Sequence, residues 1–599
     1  MSHEPFEDSR RLTGANLYFD GAGAALETAA GLAFDAGALQ RWRANVERAR
    51  ALLGWSETVV VVREHATGAS LAFEAPFDQL YVAAEMNEWA LYSALGLRAS
   101  DKPVHDDDAK PPRPHVAHFD DDEALHQLQA LAAMEAKPNL RALVAAARER
   151  GVPAHADDDV LSIGEGLAAQ AWPLDALPDI DAVPWSQLHA IPKAVVTGSN
   201  GKTTTVRLLA AMLRAHGLHA GYSSTDGLFI DGERVEAGDY SGPVGARTVL
   251  RDARVDAAVL ETARGGLLRR GLVASDARVA VVTNISPDHF GEYGIHTLDH
   301  LASVKLVVAK ALAADGLLVL NADDPMLVRH AAETGVTRIG WFALALDDAL
   351  ARATLACGMR GGRMLLSRDG IEHDLGAVDA MPLTMGGAAR YNIANIAGAV
   401  LAADAMGVPA AAIADVLARF GAANDDNPGR LQRWTLGDVE VLLDYAHNPD
   451  GLRGLLDVAS GLRRGGRMGL LLGHAGNRLE SDFHALADVA AAVNPDRVWL
   501  KDIAGDYLRG RASGDVAMIL RDALLASGMS DANLPVCLHE TLAVREALAW
   551  AQADDLLVLP VHELERRDEV VALLDRLRAE DWRAGMPLPE IPQRPLDGE

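Results

Sequence analysis

Thr197-Gly198-Ser199-Asn200-Gly201-Lys202-Thr203-Thr204-Thr205 directly follows the apolar run 194–196 and opens a segment with Leu209, Met212 and Leu213 on one helical face. A strand, a glycine-rich turn and a helix start, in that order, make an anion site. The glycines let backbone N–H groups face one point, Lys202 adds positive charge, and the Thr203 hydroxyl is placed to ligate Mg²⁺. The commoner form of this loop has glycine where Val196 stands, so this is a shorter variant, marked by Asn200 before Gly201. Working outward, the runs 257–260, 279–283 and 317–320 are separated by helix-length segments and read as buried parallel strands of an α/β sheet. Glu261 ends one of them, where open α/β sheets bind ligands, and a carboxylate there can hold a metal ion that bridges phosphates. A second series, 439–443, 468–472, 497–500 and 556–559, suits a separate Rossmann-like sheet.

Upstream the pattern changes. Residues 59–73 read as strand, turn, strand; 77–95, 125–136 and 140–150 read as helices; 101–123, rich in Asp, Pro and His, reads as an exposed loop. Glu64, His65, Glu85 and Glu88 have the chemistry of metal ligands without a ligand motif, so solvated polar residues are the favoured reading. Pro173, Pro178, Pro184 and Pro192 mark a boundary. The expected division is 1–170, a smaller α+β unit; 171–192, a linker; 193–430, a nucleotide-binding unit; and 431–599.

The formal charge of −28 disfavours non-specific binding to nucleic acid or anionic lipid. No run is apolar enough to span a bilayer, the first eleven residues carry Glu4, Glu7 and Asp8 rather than a secretory pattern, and Cys357 and Cys537 match no metal spacing. A cytoplasmic protein is expected.

The loop, Glu261, Asp288-His289, Asn392, Asn395 and Asp444-Tyr445-Ala446-His447-Asn448-Pro449 resemble, in order, the Mur ligase and folylpolyglutamate synthetase superfamily. Within it, Ser224-Thr225-Asp226-Gly227, Ser241-Gly242-Pro243, Glu261-Thr262-Ala263-Arg264-Gly265-Gly266 and Arg509-Gly510-Arg511 are similar to the C-terminal half of cyanophycin synthetases. The resemblance implies an ATP- and Mg²⁺-dependent amide-forming ligase with a Mur-ligase core: a phosphate-loop central domain and a Rossmann-like C-terminal domain. Its site would take ATP on Gly198, Asn200, Gly201, Lys202, Thr203, Thr204, Asn392, Asn395, Arg430 and Asp444. It would hold metal on Thr203, Glu261 and His289, with Lys202, Glu261, His289 and Lys305 catalytic. Lys305 stands where many Mur ligases carry a carbamylated lysine. Asp226, Arg264, His447, Arg509 and Arg511 would contact substrate.

Long cyanophycin synthetases carry an ATP-grasp domain before the Mur-like part. Here 140–166 looks like its entry, yet the phosphate loop arrives about 35 residues later, far below a domain's length. That arrangement resembles the short forms, which polymerise β-aspartyl-arginine dipeptides with one ATP site, as homo-oligomers. Gly473-His474-Ala475-Gly476-Asn477-Arg478 and Val244-Gly245 depart from the cyanophycin synthetase pattern. The alternatives are a ligase adding one amino acid to a peptide or folate-like acceptor, and a non-catalytic partner of a full-length synthetase.

Overall fold

The computed structural model describes residues 4–32, 35–55, 59–99, 115–288, 290–503 and 505–590. The chain begins with an antiparallel sheet in the order Phe6–Leu12, Gly23–Thr28, Gly68–Glu74, Val60–His65, covered by the helices Ala36–Leu53, Leu80–Ala94 and Asp121–Glu135. Leu26, Trp42, Phe73 and Trp89 are its fully buried core. The sequence pattern finds the second hairpin and misses the first two strands, because these bury charge instead of alternating cleanly. Arg10 donates to Glu27 at 2.6 Å, and both side chains are inside.

Two expectations are corrected here. Residues 101–114 lie outside the described residues, but the expected loop does not run to 123: Asp120 caps a helix that starts at Asp121, its carboxylate accepting from the Glu123 N–H at 3.0 Å. The acidic run that looked like loop is a first helical turn, where negative charge faces the positive end of the helix dipole. Of Glu64, His65, Glu85 and Glu88, read as solvated polar residues, only Glu64 is exposed. His65 pairs with Glu27 at 3.3 Å, while Glu85 and Glu88 flank His115 at 3.5 and 2.5 Å and tie the turn Val116–His118 to their helix.

Between 138 and 192 the chain forms the helix Pro138–Glu149 and a three-stranded sheet, Ala154–Ala156, Val160–Ile163 and Gln170–Pro173. The proline-rich stretch is packed rather than free, burying Val183, Leu188 and Ile191. Glu165 fastens this unit to the strand Lys193–Thr197 of the central sheet. It accepts from the Lys193 ammonium at 2.6 Å and from the Ile191 N–H at 3.2 Å, and it pairs with His155 at 3.0 Å.

The centre is an eleven-stranded sheet. Lys193–Thr197 lies between Ala257–Glu261 and Ala277–Val282, with Ala220–Ser224, Leu312–Asn321, Ile339–Ala345 and Ala356–Arg360 extending the parallel part. The strands are near-continuous apolar runs because helices cover both faces: Lys202–Ala215 and Arg390–Ala405 on one, Pro243–Arg251, Arg264–Arg270 and Leu298–Leu306 on the other. Antiparallel strands, Gly227–Ile230 and Glu233–Glu236 at one edge and Arg363–Arg368 and Ile371–Ala377 at the other, complete it. A five-stranded sheet comes next, in the order Gln432–Leu436, Val439–Asp444, Leu556–Pro560, Met468–Leu472, Arg497–Leu500, parallel after its first strand. The carboxyl ends of both sheets' parallel strands contribute loops to one cavity. No described helix is long and apolar enough to cross a membrane.

Replacing Lys193 with Met leaves Glu165 buried without its cation, a loss of about 3 kcal/mol for a broken buried pair. Burial alone would raise the Glu165 carboxyl, but His155 and Lys193 hold it below its ordinary 4.5. A depressed carboxyl stabilises above its unfolded pKa, and that stability is lost as pH falls through the folded one. The melting temperature of Lys193→Met should therefore lie several degrees below wild type at pH 7, with the gap closing only as pH falls below 4.5. An equal melting temperature at pH 7 would show that the pair does not hold the unit in place.

Candidate active site

The phosphate loop is shaped by close approach. Gly198 (φ 147°) and Gly201 (φ 85°) sit where side chains are strained, and an added Cβ would lie 1.8 Å from the Thr283 hydroxyl or 2.1 Å from the Asn395 amide oxygen. The next strand end wires the loop in place. Thr283 Oγ1 donates to the Asn200 carbonyl at 2.6 Å, Asn284 Oδ1 accepts from the Asn200 N–H at 2.9 Å, and Ser199 and Ser286 exchange two bonds of 3.0 Å. Val196 explains the short loop: it is fully buried in the strand, so the turn starts only at Gly198. Lys202 folds back onto the Gly198 and Ser199 carbonyls at 3.1 and 3.2 Å.

Glu261, 1% exposed, accepts from Thr203 Oγ1 at 2.8 Å through one oxygen. Its other oxygen, Oε1, is buried with no hydrogen-bond partner among the described residues. Burial raises this carboxyl above the ordinary carboxylate range, although Lys202 and Thr203 oppose the shift. A hydroxyl oxygen beside an orphaned carboxylate oxygen is the hard donor set that suits Mg²⁺, so the residues fit the ion. Lys305, on the helix Leu298–Leu306, is buried against the same loop and donates to Gly198 O at 2.9 Å. Its amine is held well below the usual range, first by burial and then by Lys202. His289 lies outside the described residues; Asp288 lines the cavity.

Across the loop, Asn392 and Asn395 project from the helix Arg390–Ala405 and bond to each other at 3.1 Å. Arg430 Nη2 reaches Thr225 Oγ1 at 3.2 Å and Thr203 Oγ1 at 3.4 Å, and its guanidinium lies 4.2 Å from the Tyr445 ring centroid. Asp444 accepts from the Leu431 and Ala446 N–H groups at 2.6 and 2.7 Å and thereby shapes the turn that presents His447. Burial raises Asp444 and lowers His447, the latter to about 4.

The cavity between these walls has a volume of about 940 Å³. Asn200 through Thr204, Glu261, Arg264, Lys305, Asn392, Asn395, Arg430, Asp444, His447 and Arg509 line it. Gly198, Asp226 and Arg511 are not in its lining. Arg511 instead donates to the Gly476 carbonyl at 2.8 Å, bracing a neighbouring loop, and Asp226 is enclosed by arginines. Sequence reasoning left out Asn284 and Ser286, which hold the loop, and gave no role to Asn448, whose amide donates to Asn200 Oδ1 at 2.9 Å across the gap between the sheets. Asn284 had a signal, since it follows a strand as the phosphate loop does. The buried cluster of Lys501, Glu540 and His562, which holds the Ala446 carbonyl through His562 Nε2 at 3.1 Å, had none.

Residues 196–403 match the family model described as Mur ligase middle domain, and residues 429–560 match Mur ligase, glutamate ligase domain. The cyanophycin synthetase of Trichormus variabilis is 36% identical over 406 residues, covering 66% of this chain and 44% of that protein. The chain thus spans under half the length of that relative. The UDP-N-acetylmuramoyl-L-alanyl-D-glutamate--2,6-diaminopimelate ligase of Chlorobaculum tepidum is 31% identical over 317 residues, covering 51% of this chain and 60% of that one. Among solved structures, E. coli FolC in complex with DHPP and ADP has a TM-score of 0.48 at 21% identity, covering 65% of this chain and 89% of that chain.

His447 and His474 are both kept neutral by burial, His474 well below its ordinary 6.5. A histidine with a lowered folded pKa binds fewer protons folded than unfolded, so its contribution falls as pH drops below the unfolded value. For His447, with about 4 against 6.5, the loss between pH 7 and 5 is about 2 kcal/mol. His447→Gln should flatten the fall in melting temperature over that range. Parallel curves for variant and wild type would show that burial does not lower the His447 pKa in the folded protein.

Proposed function

The chain belongs to the Mur ligase family through residues 196–403 and 429–560, and from that premise we propose that it is an ATP-dependent ligase joining a carboxylate to an amine by way of an acyl phosphate. The observation that carries this reading is the convergence, on one 940 Å³ cavity, of the phosphate loop, the Thr203–Glu261 pair and the loops of the second sheet. A carboxylate is a poor electrophile because its leaving group would be an oxide ion, and phosphorylation supplies a better one. Thr203 and Glu261 would hold Mg²⁺, which when bound neutralises phosphate charge during transfer. Lys202, now resting on two carbonyls of its own loop, is the ammonium that turns to the transferring phosphoryl group. Arg430, stacked on Tyr445, brings a second cation from the crossing between the sheets. Asn392 and Asn395 face the same pocket and supply amide groups for the base, and Asp444 holds the turn that closes the nucleotide side.

His289, beside Asp288, is proposed for a second metal ion by its place in the motif. Burial shifts the Lys305 amine well below its usual range, toward the neutral form from which a lysine carbamate forms, and the amine holds the loop through Gly198. Enclosure of the cavity by loops of both sheets keeps water from the acyl phosphate.

The substrate we propose is the β-aspartyl-arginine dipeptide, added repeatedly to a growing cyanophycin chain by a cytoplasmic homo-oligomer. The similarity to cyanophycin synthetases supports this, as does the chain's own architecture, in which one helix and a small sheet fill 138–192. Arg264, His447 and Arg509 line the cavity and are the residues offered to that substrate. With a preformed dipeptide every addition is the same reaction, so one site suffices. Alternating free aspartate and arginine would require one pocket to serve two acceptors and two amines.

With ATP and Mg²⁺, product mass should grow in dipeptide steps from β-aspartyl-arginine and not from the free amino acids. A single mass increment would instead indicate one-step addition, and no phosphate release with any of these substrates would overturn the ligase reading. Lys202→Ala should lower turnover by about a hundredfold or more while the fold persists. Glu261→Gln should raise the Mg²⁺ concentration needed for half-maximal activity, and an unaltered Mg²⁺ dependence would make Glu261 structural.

A further inference from the structure

Asp226 follows the strand Ala220–Ser224 and is 4% exposed. Three arginines meet on its carboxylate: Arg207 Nη2 at 2.7 Å, Arg567 Nη2 at 2.6 Å and Arg430 Nη2 at 3.6 Å. They come from separate parts of the fold. Arg207 lies on the helix Lys202–Ala215 that starts at the phosphate loop, Arg567 on the C-terminal helix Leu564–Ala579, and Arg430 on the crossing between the two sheets. We infer that Asp226 is a positioning residue, a latch that couples the seating of the second sheet to the placement of Arg430 over the phosphate loop. The inference rests on the ligase reading above.

The crossing is gripped from both sides. Arg207 Nη1 donates to Asn427 Oδ1 at 3.2 Å and to the Pro428 carbonyl at 2.9 Å, and Asn427 donates back to Thr204 Oγ1 at 3.2 Å. On the other side Arg567 lies so close to Gly429 (φ 71°) that a Cβ there would come within 2.4 Å of the arginine Cδ. Residues 427–430 are thus held between the nucleotide helix and the C-terminal helix, with Asp226 joining the two clamps.

Electrostatics give the latch a direction. Burial alone would push the Asp226 carboxyl up, but Arg430, Arg207 and Arg567 hold it below the usual carboxylate range. One carboxylate still serves three guanidiniums, and Arg207 Nε, Arg430 Nη1 and Arg567 Nη1 are buried without a hydrogen-bond partner among the described residues. The cluster is short of hydrogen-bond acceptors. Of the three, only Arg430 lines the cavity, with Nη2 already 3.4 Å from Thr203 Oγ1, so phosphate oxygens brought to the loop supply the missing acceptors through it. Seating the second sheet through Arg567 and accepting a polyphosphate through Arg430 therefore support each other.

Arg567 is the side chain to change, because it touches the latch and not the cavity. Arg567→Gln and Arg567→Lys should be compared with wild type by small-angle scattering, by melting temperature, and by steady-state kinetics with ATP and the substrate that wild type turns over. In Arg567→Gln the radius of gyration should rise, kcat should fall at least tenfold and the KM for ATP should rise with it, while Arg567→Lys stays near wild type in size and turnover. A purely structural ion pair would lower the melting temperature without moving either readout. An unchanged radius of gyration in Arg567→Gln, or an unchanged kcat in a variant that has opened, overturns the latch. If wild type shows no turnover with any amino acid or dipeptide, the ligase reading fails by itself and the scattering comparison alone decides the latch.

Discussion

The first N–H groups of the helix Lys202–Ala215 have no intrahelical partner and open on the cavity, and much of the rest follows from that constraint. A loop that leaves its donors free has to be shaped by something other than its own ladder, and here it is shaped by contact. Gly198 has no room for a Cβ beside Thr283, Gly201 has none beside Asn395, and Ser199 and Asn200 are bonded to residues 283–286. Both neighbours exist only because Ala277–Val282 pairs with Lys193–Thr197 in the sheet and Arg390–Ala405 packs across the helix Lys202–Ala215. The sheet order is therefore part of the anion site as well as its support.

The same constraint concentrates charge that the protein alone does not balance. Lys202 and Lys305 both donate to the Gly198 carbonyl, at 3.1 and 2.9 Å. Two ammonium groups on one buried carbonyl repel, and burial and Lys202 shift the Lys305 amine well below its ordinary range, which eases the conflict. Glu261 is strained in the opposite sense, a carboxylate with one oxygen unmatched. Lys202 donates only to carbonyls of its own loop, and Glu261 Oε1 has no hydrogen-bond partner among the described residues. Neither defect is tolerable as core packing alone.

What the sequence made legible follows from which features are local. The phosphate loop, Glu261 at its strand end and the central parallel runs are written in consecutive residues, and the structure places them as read. The strands Phe6–Leu12 and Gly23–Thr28 escaped because Arg10 and Glu27 are buried against each other, so polarity no longer reports exposure. The acidic run 120–123 misled for a related reason: composition suggests loop, whereas position at a helix start makes the same charges stabilising. Asp226 was visible within a motif, and a substrate contact was the natural expectation; its actual partners come from positions 207, 430 and 567. Arg567 sits in a helix dense with charge, where a buried arginine looks like any solvated one until a carboxylate 341 residues away is brought to it.

The amino-terminal sheet, the part least readable from the sequence, turns out to bear on the cavity wall. The short helix Arg264–Arg270 projects Arg264 into the cavity, where it pairs with Glu292. Its far end is not held by the central sheet alone. Arg10 donates to the Leu268 carbonyl at 2.8 Å, the Thr13 N–H to Arg270 O at 2.8 Å, and the Leu272 N–H to Ala15 O at 2.7 Å. Arg63 of the same sheet donates to Gly294 O at 2.9 Å, next to the segment that carries Glu292. Both members of the Arg264–Glu292 pair are thus fixed from behind by one antiparallel sheet, and Arg10 is itself locked by Glu27. A wall supported this way keeps its guanidinium in place without a rigid element of its own. The buried charge that hid the first two strands from the sequence pattern is therefore the same charge that connects this sheet to the site.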